Sequence, residues 1–480
     1  MRLRELIEDI SYRLVGNAAF DGDIETVTTD PCRASAESLF VCTRTPLRDG
    51  HGDAFTAYAN GCRAFLTERS VPVGEDATVL LTEDTAACLG ELAAKCYGYP
   101  ARHMTVLGVT GSAGKSSVLS LAAALLRRRG ECVATVGSDG ITVGRTRRPR
   151  SLTVPDAAAL QLILRELAEQ GVTVVLLELS TYMLAQKSHF SIPFTAVLLT
   201  EQNKCMEHTY RENDEFRHYQ ASLFTGDTPI WILPAELKDF PVHRGVRVLT
   251  FGDGGELTAE HLVDKDTEKG FSCRVAIKLD DTEKQEITLP VPGDFAVRNC
   301  LAAMALARAS GMDGKALLQM MPHILPQGHL ECLACHEGRY IYTDAGFSPA
   351  ALERVLRLLR RRTAGKLTVL LGSVGGRTYE RRAPLGRVAT AMADLAYFTA
   401  DDPDFEDPAE ICEQMKAEAD PDRYVILPDR ERAIRRAVLE MRPGDTLLLF
   451  GKGTERHQLI DGVCHPFDEK EIVEEALQML

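Results

Sequence analysis

Gly108-Val109-Thr110-Gly111-Ser112-Ala113-Gly114-Lys115-Ser116-Ser117 decides how this sequence is read. The apolar run from Met104 to Val109 predicts a short strand before it. The helical spacing from Ser116 to Arg129, closed by Gly130, predicts a helix after it. A strand, a glycine-punctuated loop and a helix together make an anion site. The glycines let the backbone wrap a phosphate, successive N–H groups point inward, and the helix N-terminus adds partial positive charge. Lys115 is spaced to reach the β- and γ-phosphates of a nucleotide, and the Ser116 hydroxyl to ligate Mg²⁺. Val109 stands where the usual G-x-x-x-x-G-K-S has its first glycine. The plainer alternative is a glycine turn that merely opens a helix.

Outward from the loop the βαβ pattern continues. Cys132 to Val136, Val172 to Leu177 and Ala196 to Leu199 are continuous apolar runs, suited to a parallel sheet covered on both faces. Glu178 ends the second of these runs, where a Mg²⁺ ligand belongs beside a phosphate loop. Phe271 to Ile277 and Glu286 to Val291 alternate polar and apolar, which predicts an antiparallel excursion. Val297 to Ala309 is a helix, and Pro322 to Gln327 a linker. Beyond it, Tyr340 to Thr343, Leu367 to Leu371, Leu395 to Thr399, Tyr424 to Leu427 and Thr446 to Phe450 are strands that alternate with helices, the last from Glu469 to Leu480. That is a doubly wound α/β pattern. Before the loop, Leu39 to Cys42 and Ala64 to Thr67 read as strands and Thr85 to Tyr97 as a helix, with Pro100 as a boundary.

The chain has 480 residues, enough for about three domains of roughly 150. Its 55 basic and 69 acidic residues give a net charge of −14, which argues against duplex DNA or an anionic membrane as partner. The N-terminus lacks the apolar stretch of a signal peptide, and no run approaches the roughly 18 residues of a membrane span. Thirteen scattered cysteines fit free thiols in a reducing cytosol. Cys332-Leu333-Ala334-Cys335-His336 matches a haem-attachment string, but buried thiols beside a strand are expected there.

These residues, at these separations, resemble the Mur ligases, and among them the E-type, the UDP-N-acetylmuramoyl-tripeptide synthetases. The resemblance covers essentially the whole chain. Gly111 to Ser117 is similar to that family's G-T-N-G-K-T-T, Glu178 to Tyr182 to its E-V-S-S-H, and Gly293 to Asn299 to G-x-F-N-x-x-N. Asp344 to Pro349 is similar to D-Y-A-H-T-P, with Gly375-Gly376-Arg377 at a glycine-arginine turn. Ala400 to Pro408 is similar to S-D-N-P-R-x-E-D-P, Gly451 to Glu455 to G-K-G-H-E, and Asp49-Gly50-His51 to D-G-H.

The resemblance implies an α/β chain of three domains. Residues 1–100 would be a small UDP-binding domain, 101–325 a P-loop ATPase-like domain with a mostly parallel sheet, and 326–480 a Rossmann-like domain for the amino acid. It implies a cytoplasmic monomer that uses ATP and Mg²⁺ to join an amino acid to a UDP-linked muramoyl peptide in peptidoglycan precursor synthesis, through an acyl phosphate. ATP would be held by Gly111, Ser112, Ala113, Gly114, Lys115, Ser116, Ser117, Asn299 and Asp344, and the metal by Ser116 and Glu178. Thr153, Ser180 and Gln186 stand at family substrate positions, and Arg377, Asp401, Asp402, Asp404, Gly451 and Glu455 at the amino-acid pocket.

Several positions depart from the family. Counted without gaps from Glu178, the carbamylated lysine is Gln220 and the D-H pair is Cys205-Met206, although Glu207-His208 lies one step on and supplies His208 as a catalytic candidate. The asparagine of T-N-L is Glu201, the histidines of two motifs are Phe347 and Thr454, and the P-loop asparagine is Ala113. A substrate threonine is Val154, an arginine Ser188, and the first domain's D-S-R is Asp30-Pro31-Cys32. Three readings stand open: a ligase with rebuilt metal coordination, a non-catalytic paralog that binds nucleotide or precursor, and a ligase for another carboxylate acceptor. Relatives that add diaminopimelate carry an arginine at position 404, able to pair with the second carboxylate of that amino acid. Asp402 and Asp404 here favour an ammonium, which points to L-lysine or a similar diamine. The alternative is that both cap the helix beginning near Asp407.

Overall fold

The structure is a computed structural model. It describes all residues except 17–20, 45–48, 138–139, 145, 149–154, 203–212, 238–239, 268–269, 280–282, 291–292, 325–329 and 377–378. Two compact units emerge, one of Met1–Thr258, Lys278–Glu283 and Arg298–Met320, the other of Ala259–Ile277, Lys284–Val297 and Met321–Leu480.

The first unit opens with a five-stranded sheet. Thr26–Thr28, Ser38–Val41, Ala64–Thr67 and Thr78–Leu81 lie parallel in that order, and Arg13–Gly16 closes it antiparallel. Leu39, Phe40 and Val41 are all buried, which is why this strand reads as a continuous apolar run instead of alternating. The helix Thr85–Cys96 starts at Asp84, whose side chain accepts from Ala87 N–H. Its apolar stripe of Leu89, Leu92 and Ala93 packs with Leu39 and Leu66, and also with Ala157 and Ala158 of the helix Ala157–Glu169. Lys187 pairs with Asp84, and the Thr29 hydroxyl donates to Asp156. The small sheet and the central sheet therefore share one core, which holds them in a single unit.

Six parallel strands form the central sheet, in the order Arg247–Phe251, Ile230–Pro234, Ala196–Leu199, Thr105–Thr110, Val174–Glu178 and Val133–Gly137. Gly140–Val143 and Thr146–Arg148 extend its far edge antiparallel. Thr105–Thr110 is internal, flanked by strands that come later in the chain, so its carboxyl end opens at a crevice suited to ligands. The helix Lys115–Arg128 follows it and ends before Gly130, which takes φ 96° as the reading of the sequence requires.

In the second unit Glu331–His336 pairs antiparallel with Arg339–Asp344. Thr446–Phe450, Leu367–Leu371, Leu395–Phe398 and Tyr424–Ile426 then follow in parallel, with helices between them in sequence. Gly270–Leu279 and Gln285–Leu289 form the expected antiparallel excursion. One expectation fails. Cys335 is exposed and Cys332 only partly covered, because their strand is the outermost of its sheet and is bulged between Cys332 and Ala334. The described cysteines are free, and no described helix is long and apolar enough to cross a membrane.

His189 follows the helix Thr181–Ala185 and is buried. One ring nitrogen, Nε2, lies 3.3 Å from the Ser222 carbonyl, and Nδ1 has no partner among the described residues. Burial lowers its pKa to about 4. Between the unfolded value near 6.5 and 4 the unfolded chain binds a proton that the folded chain excludes, so acidification through this window destabilises the fold. Urea titrations read by the emission of Trp231, the sole tryptophan, should show wild-type stability falling by about 2–4 kcal/mol from pH 7 to 4 relative to His189→Gln. Parallel pH profiles of the two proteins would contradict this.

Candidate active site

The phosphate loop is anchored from the strand beside it. Thr200, at the end of Ala196–Leu199, donates from Oγ1 to the Ala113 carbonyl at 2.6 Å. The Glu201 carbonyl accepts from both N and Oγ of Ser112 at 3.0 Å. Gly114 takes φ 80° at the N-cap of Lys115–Arg128, with the Asn299 carboxamide packed against it where a side chain has no room. Lys115 folds back, its Nζ donating to the Gly111 carbonyl at 2.9 Å. Gly111, Ser112, Ala113, Gly114, Lys115, Ser116, Ser117 and Asn299 are thus one constellation around a helix N-terminus, whose N–H groups and dipole suit a phosphate chain.

Glu178 pairs in register with Val109, which puts its carboxylate on the same sheet edge as the loop. It is buried, and Ser116 Oγ donates to its Oε2 at 3.1 Å. A carboxylate and a hydroxyl are hard oxygen donors, the set that Mg²⁺ takes alongside substrate phosphates. Space for the carboxylate is made by Gly137, where a β-carbon would stand 2.6 Å from Glu178 Oε2.

Ser180 caps the helix Thr181–Ala185, its Oγ accepting from Met183 N–H, and Gln186 closes the same helix. Thr153, Val154, Cys205, Met206, His208 and Arg377 lie outside the described residues. Gln220, on Asn213–Ala221, is fully buried with both amide atoms unpartnered among the described residues. Asp49-Gly50-His51 is a braced turn: His51 Nδ1 meets Asp49 at 2.7 Å, His51 Nε2 accepts from Glu68 N–H, and Arg69 pairs with Asp49.

The second unit gathers its own charged cluster at the carboxyl edge of its sheet. Lys452 is fully buried; its ammonium contacts Asp402, Asp401 at 3.3 Å and Glu455 at 3.4 Å. Burial pulls the Lys452 pKa down, but the three carboxylates outweigh it and hold the ammonium charged. Burial likewise pushes Asp401 up, and Lys452 with Arg430 more than reverses that. Asp402 Oδ1 also accepts from Leu459 N–H. Asp404, at φ 51°, accepts from Gly462 N–H. Neither caps the next helix, because Asp407 does so itself. Asp344 accepts from the N–H groups of Leu330 and Gly346, and its carbonyl accepts from Gly451 N–H. Arg382, fully buried, binds Glu406 and the Val374 carbonyl, and Glu406 accepts from Gly376 N–H, so the glycine turn before Arg377 is braced.

Residues 109–307 match the Mur ligase middle domain, and residues 329–453 the Mur ligase, glutamate ligase domain. The UDP-N-acetylmuramoyl-L-alanyl-D-glutamate–2,6-diaminopimelate ligase of Corynebacterium efficiens is 30% identical over 505 residues, covering 99% of this chain and 94% of the relative. The chain belongs to the Mur ligase family. A relative of the same description from Caldanaerobacter subterraneus is 29% identical over 99% of both chains. Among solved structures, a UDP-N-acetylmuramoyl-L-alanyl-D-glutamate–2,6-diaminopimelate ligase superposes at TM-score 0.67, with 22% identity over 100% of this chain and 99% of its own. The MurF ligase from Thermotoga maritima in complex with ADP superposes at 0.60, with 17% identity over 95% of this chain and 97% of its own. These superpositions establish the α/β fold shared with the Mur ligases.

A Mur ligase is an ATP-dependent, ADP-forming amino-acid ligase, and the phosphate loop of this one is built as that chemistry needs. Reading the sequence missed Thr200, Gly137, Lys452, Arg382 and Glu406. A lone threonine or arginine carries no periodic signal. Lys452 and Glu406 stand inside two of the stretches that carry the resemblance, Gly451 to Glu455 and Ala400 to Pro408, without a role of their own being read there. Gly137→Ala should drive Glu178 off its position, lowering kcat at least tenfold and moving the Mg²⁺ dependence of ADP release to higher concentration. An unchanged Mg²⁺ titration would remove Glu178 from the metal site.

Proposed function

We propose that this Mur ligase joins a diamino acid, L-lysine or a similar basic diamine, to UDP-MurNAc-L-Ala-D-Glu in peptidoglycan precursor synthesis, as a cytoplasmic monomer that uses ATP and Mg²⁺. The observation that carries the reading is the phosphate loop with Ser116 Oγ 3.1 Å from Glu178. The γ-phosphoryl group passes to an acceptor carboxylate oxygen, giving an acyl phosphate and ADP. The amine nitrogen then attacks the acyl carbon, and phosphate leaves. A carboxylate is a poor electrophile, and phosphorylation supplies its leaving group. Lys115 and the helix N-terminus neutralise the phosphate chain, and Mg²⁺ held by Ser116 and Glu178 would neutralise the charge that develops on transfer. Residues 1–100 would hold the UDP moiety, 101–325 the ATP, and 326–480 the amino acid.

Charge supports a cationic amino acid. Asp401, Asp402 and Glu455 face the single ammonium of Lys452, with Asp404 on the same loop. Among the described residues Arg430, itself matched by Glu469, and Arg381 are the other cations acting on Asp401. An excess of carboxylate attracts an ammonium and repels a second carboxylate. The relatives named above are described as diaminopimelate ligases, and Asp404, where the resemblance leads one to expect an arginine, is the difference on which the lysine reading rests. Arg377 and Glu455 would serve the α-carboxylate and the amine.

ADP release should require ATP, Mg²⁺, the muramoyl dipeptide and a basic amino acid together, and should vanish in Lys115→Ala. L-Lysine should exceed meso-diaminopimelate in kcat/KM by at least tenfold, with Asp404→Arg narrowing the gap. Preference for diaminopimelate would overturn the lysine reading.

Gln220 favours a second reading, a paralog that binds without turnover. An amide offers a cation only a neutral oxygen where the family has an anionic carbamate, and this amide is buried without a partner among the described residues. That reading expects calorimetric binding of ATP or precursor with no ADP release under any amino acid. Measurable turnover would end it. The third, a ligase for another acceptor, draws on Asp30, whose side chain is turned onto Cys32 N–H. Release with a different carboxylate and none with the muramoyl dipeptide would select it.

A further inference from the structure

We propose that the buried ion pair of Arg430 and Glu469 is a positioning device for the incoming amino acid, fixing the strand ends that carry Asp344, Asp401 and Lys452. The inference rests on the reading that this edge of the second unit holds the amino acid.

Arg430 opens the helix Arg430–Leu439 and Glu469 opens Glu469–Leu477, and both are buried. Nε of Arg430 donates to Glu469 Oε1 at 2.8 Å, and Nη2 reaches the same oxygen at 2.7 Å. The remaining donors reach past the carboxylate: Nη1 to the Ala400 carbonyl at 3.1 Å, Nη2 to the Phe450 carbonyl at 3.3 Å. The other carboxylate oxygen, Oε2, accepts from Thr343 Oγ1 at 3.0 Å.

Thr343, Ala400 and Phe450 each precede a residue of the charged edge. Asp344 follows the first, Asp401 and Asp402 the second, and Gly451 and Lys452 the third. One guanidinium and one carboxylate, both buried, therefore tie three loops to two helices. Gly451 N–H donating to the Asp344 carbonyl links two of the loops directly. A planar guanidinium suits this task because its donors diverge at fixed angles, which an ammonium cannot reproduce.

Net stability does not explain the pair. Removing two charges from water costs about what their attraction returns, and apolar residues of similar volume often serve as well. What apolar residues cannot do is hold two backbone carbonyls and a hydroxyl in register. Misplacement of reacting groups by about 1 Å costs up to a hundredfold in rate, so the geometry of the three loops is the property at stake.

The decisive protein is the double variant Arg430→Met with Glu469→Leu, which removes the hydrogen bonds and fills the space. It is compared with wild type for thermal melting and for the KM of amino acid and of ATP in the ADP-release assay. Positioning predicts a cooperative melt, an amino-acid KM raised at least tenfold, and a smaller rise in the ATP KM, because Asp344 also stands among the expected ATP residues. An amino-acid KM within twofold of wild type, or an equal rise for ATP, would overturn the proposal. Should the double variant fail to fold, Glu469→Gln supplies the test; it should raise the amino-acid KM at least threefold, and no change would count against the pair. Absence of amino-acid-dependent ADP release by wild type itself would sink the functional reading, and this proposal with it.

Discussion

Val174–Glu178 pairs in parallel with Thr105–Thr110 so that Glu178 stands opposite Val109, one strand over from the start of the phosphate loop. Parallel pairing brings successive carboxyl ends to one edge of a sheet, and the chemistry of each unit follows from that. In the first unit the edge carries a glycine loop, a helix N-terminus and one buried carboxylate. In the second, Asp344, Phe450 and Leu371 fall in register, and the loops beyond them carry the acidic cluster around Lys452. Since crossover helices cover both faces of such sheets, this edge is where a ligand is favoured.

The two edges are stabilised differently. The phosphate loop is held by neutral contacts, with Thr200 and the Glu201 carbonyl bonding to its backbone and to Ser112, and close packing at Gly114 and Gly137. Its positive field remains available for an anion. The second unit instead buries Lys452, Arg382 and Arg430 against carboxylates. Each of these three cations is matched internally, so their charges fix loop geometry more than they attract ligand.

The fold was legible because its strands are buried on both faces. Ala64–Thr67, Ala196–Leu199, Leu367–Leu371 and Thr446–Phe450 have the bounds that their apolar runs indicate. Strands such as Gly140–Val143 and Glu331–His336 escaped notice because they lie toward or at sheet edges, where half-exposed residues break the apolar run. Of the site, the phosphate loop could be read locally, since its residues are contiguous. Arg430 and Glu469 could not, because they meet across 39 residues of sequence and neither neighbourhood has an unusual composition. Cys335 misled for the opposite reason: an apolar neighbourhood suggested burial, and the outermost position of its strand undid it.

Gln220 shows how far substitution type carries an argument. Leaving a buried amide unpartnered costs about 1–3 kcal/mol, and no neighbouring described residue offsets that cost. A position released from all constraint would be filled by an apolar residue, which has no such cost. The cost is therefore one that a partner outside the described residues, of the chain or of a ligand, would have to offset, and an amide supplies only a neutral oxygen where the resemblance leads one to expect an anionic carbamate. On the proposed reading the opposite difference stands in the second unit, where Asp404 takes the place at which the resemblance leads one to expect an arginine. The two differences would then bear on metal affinity and amine choice, while the phosphate loop keeps its form.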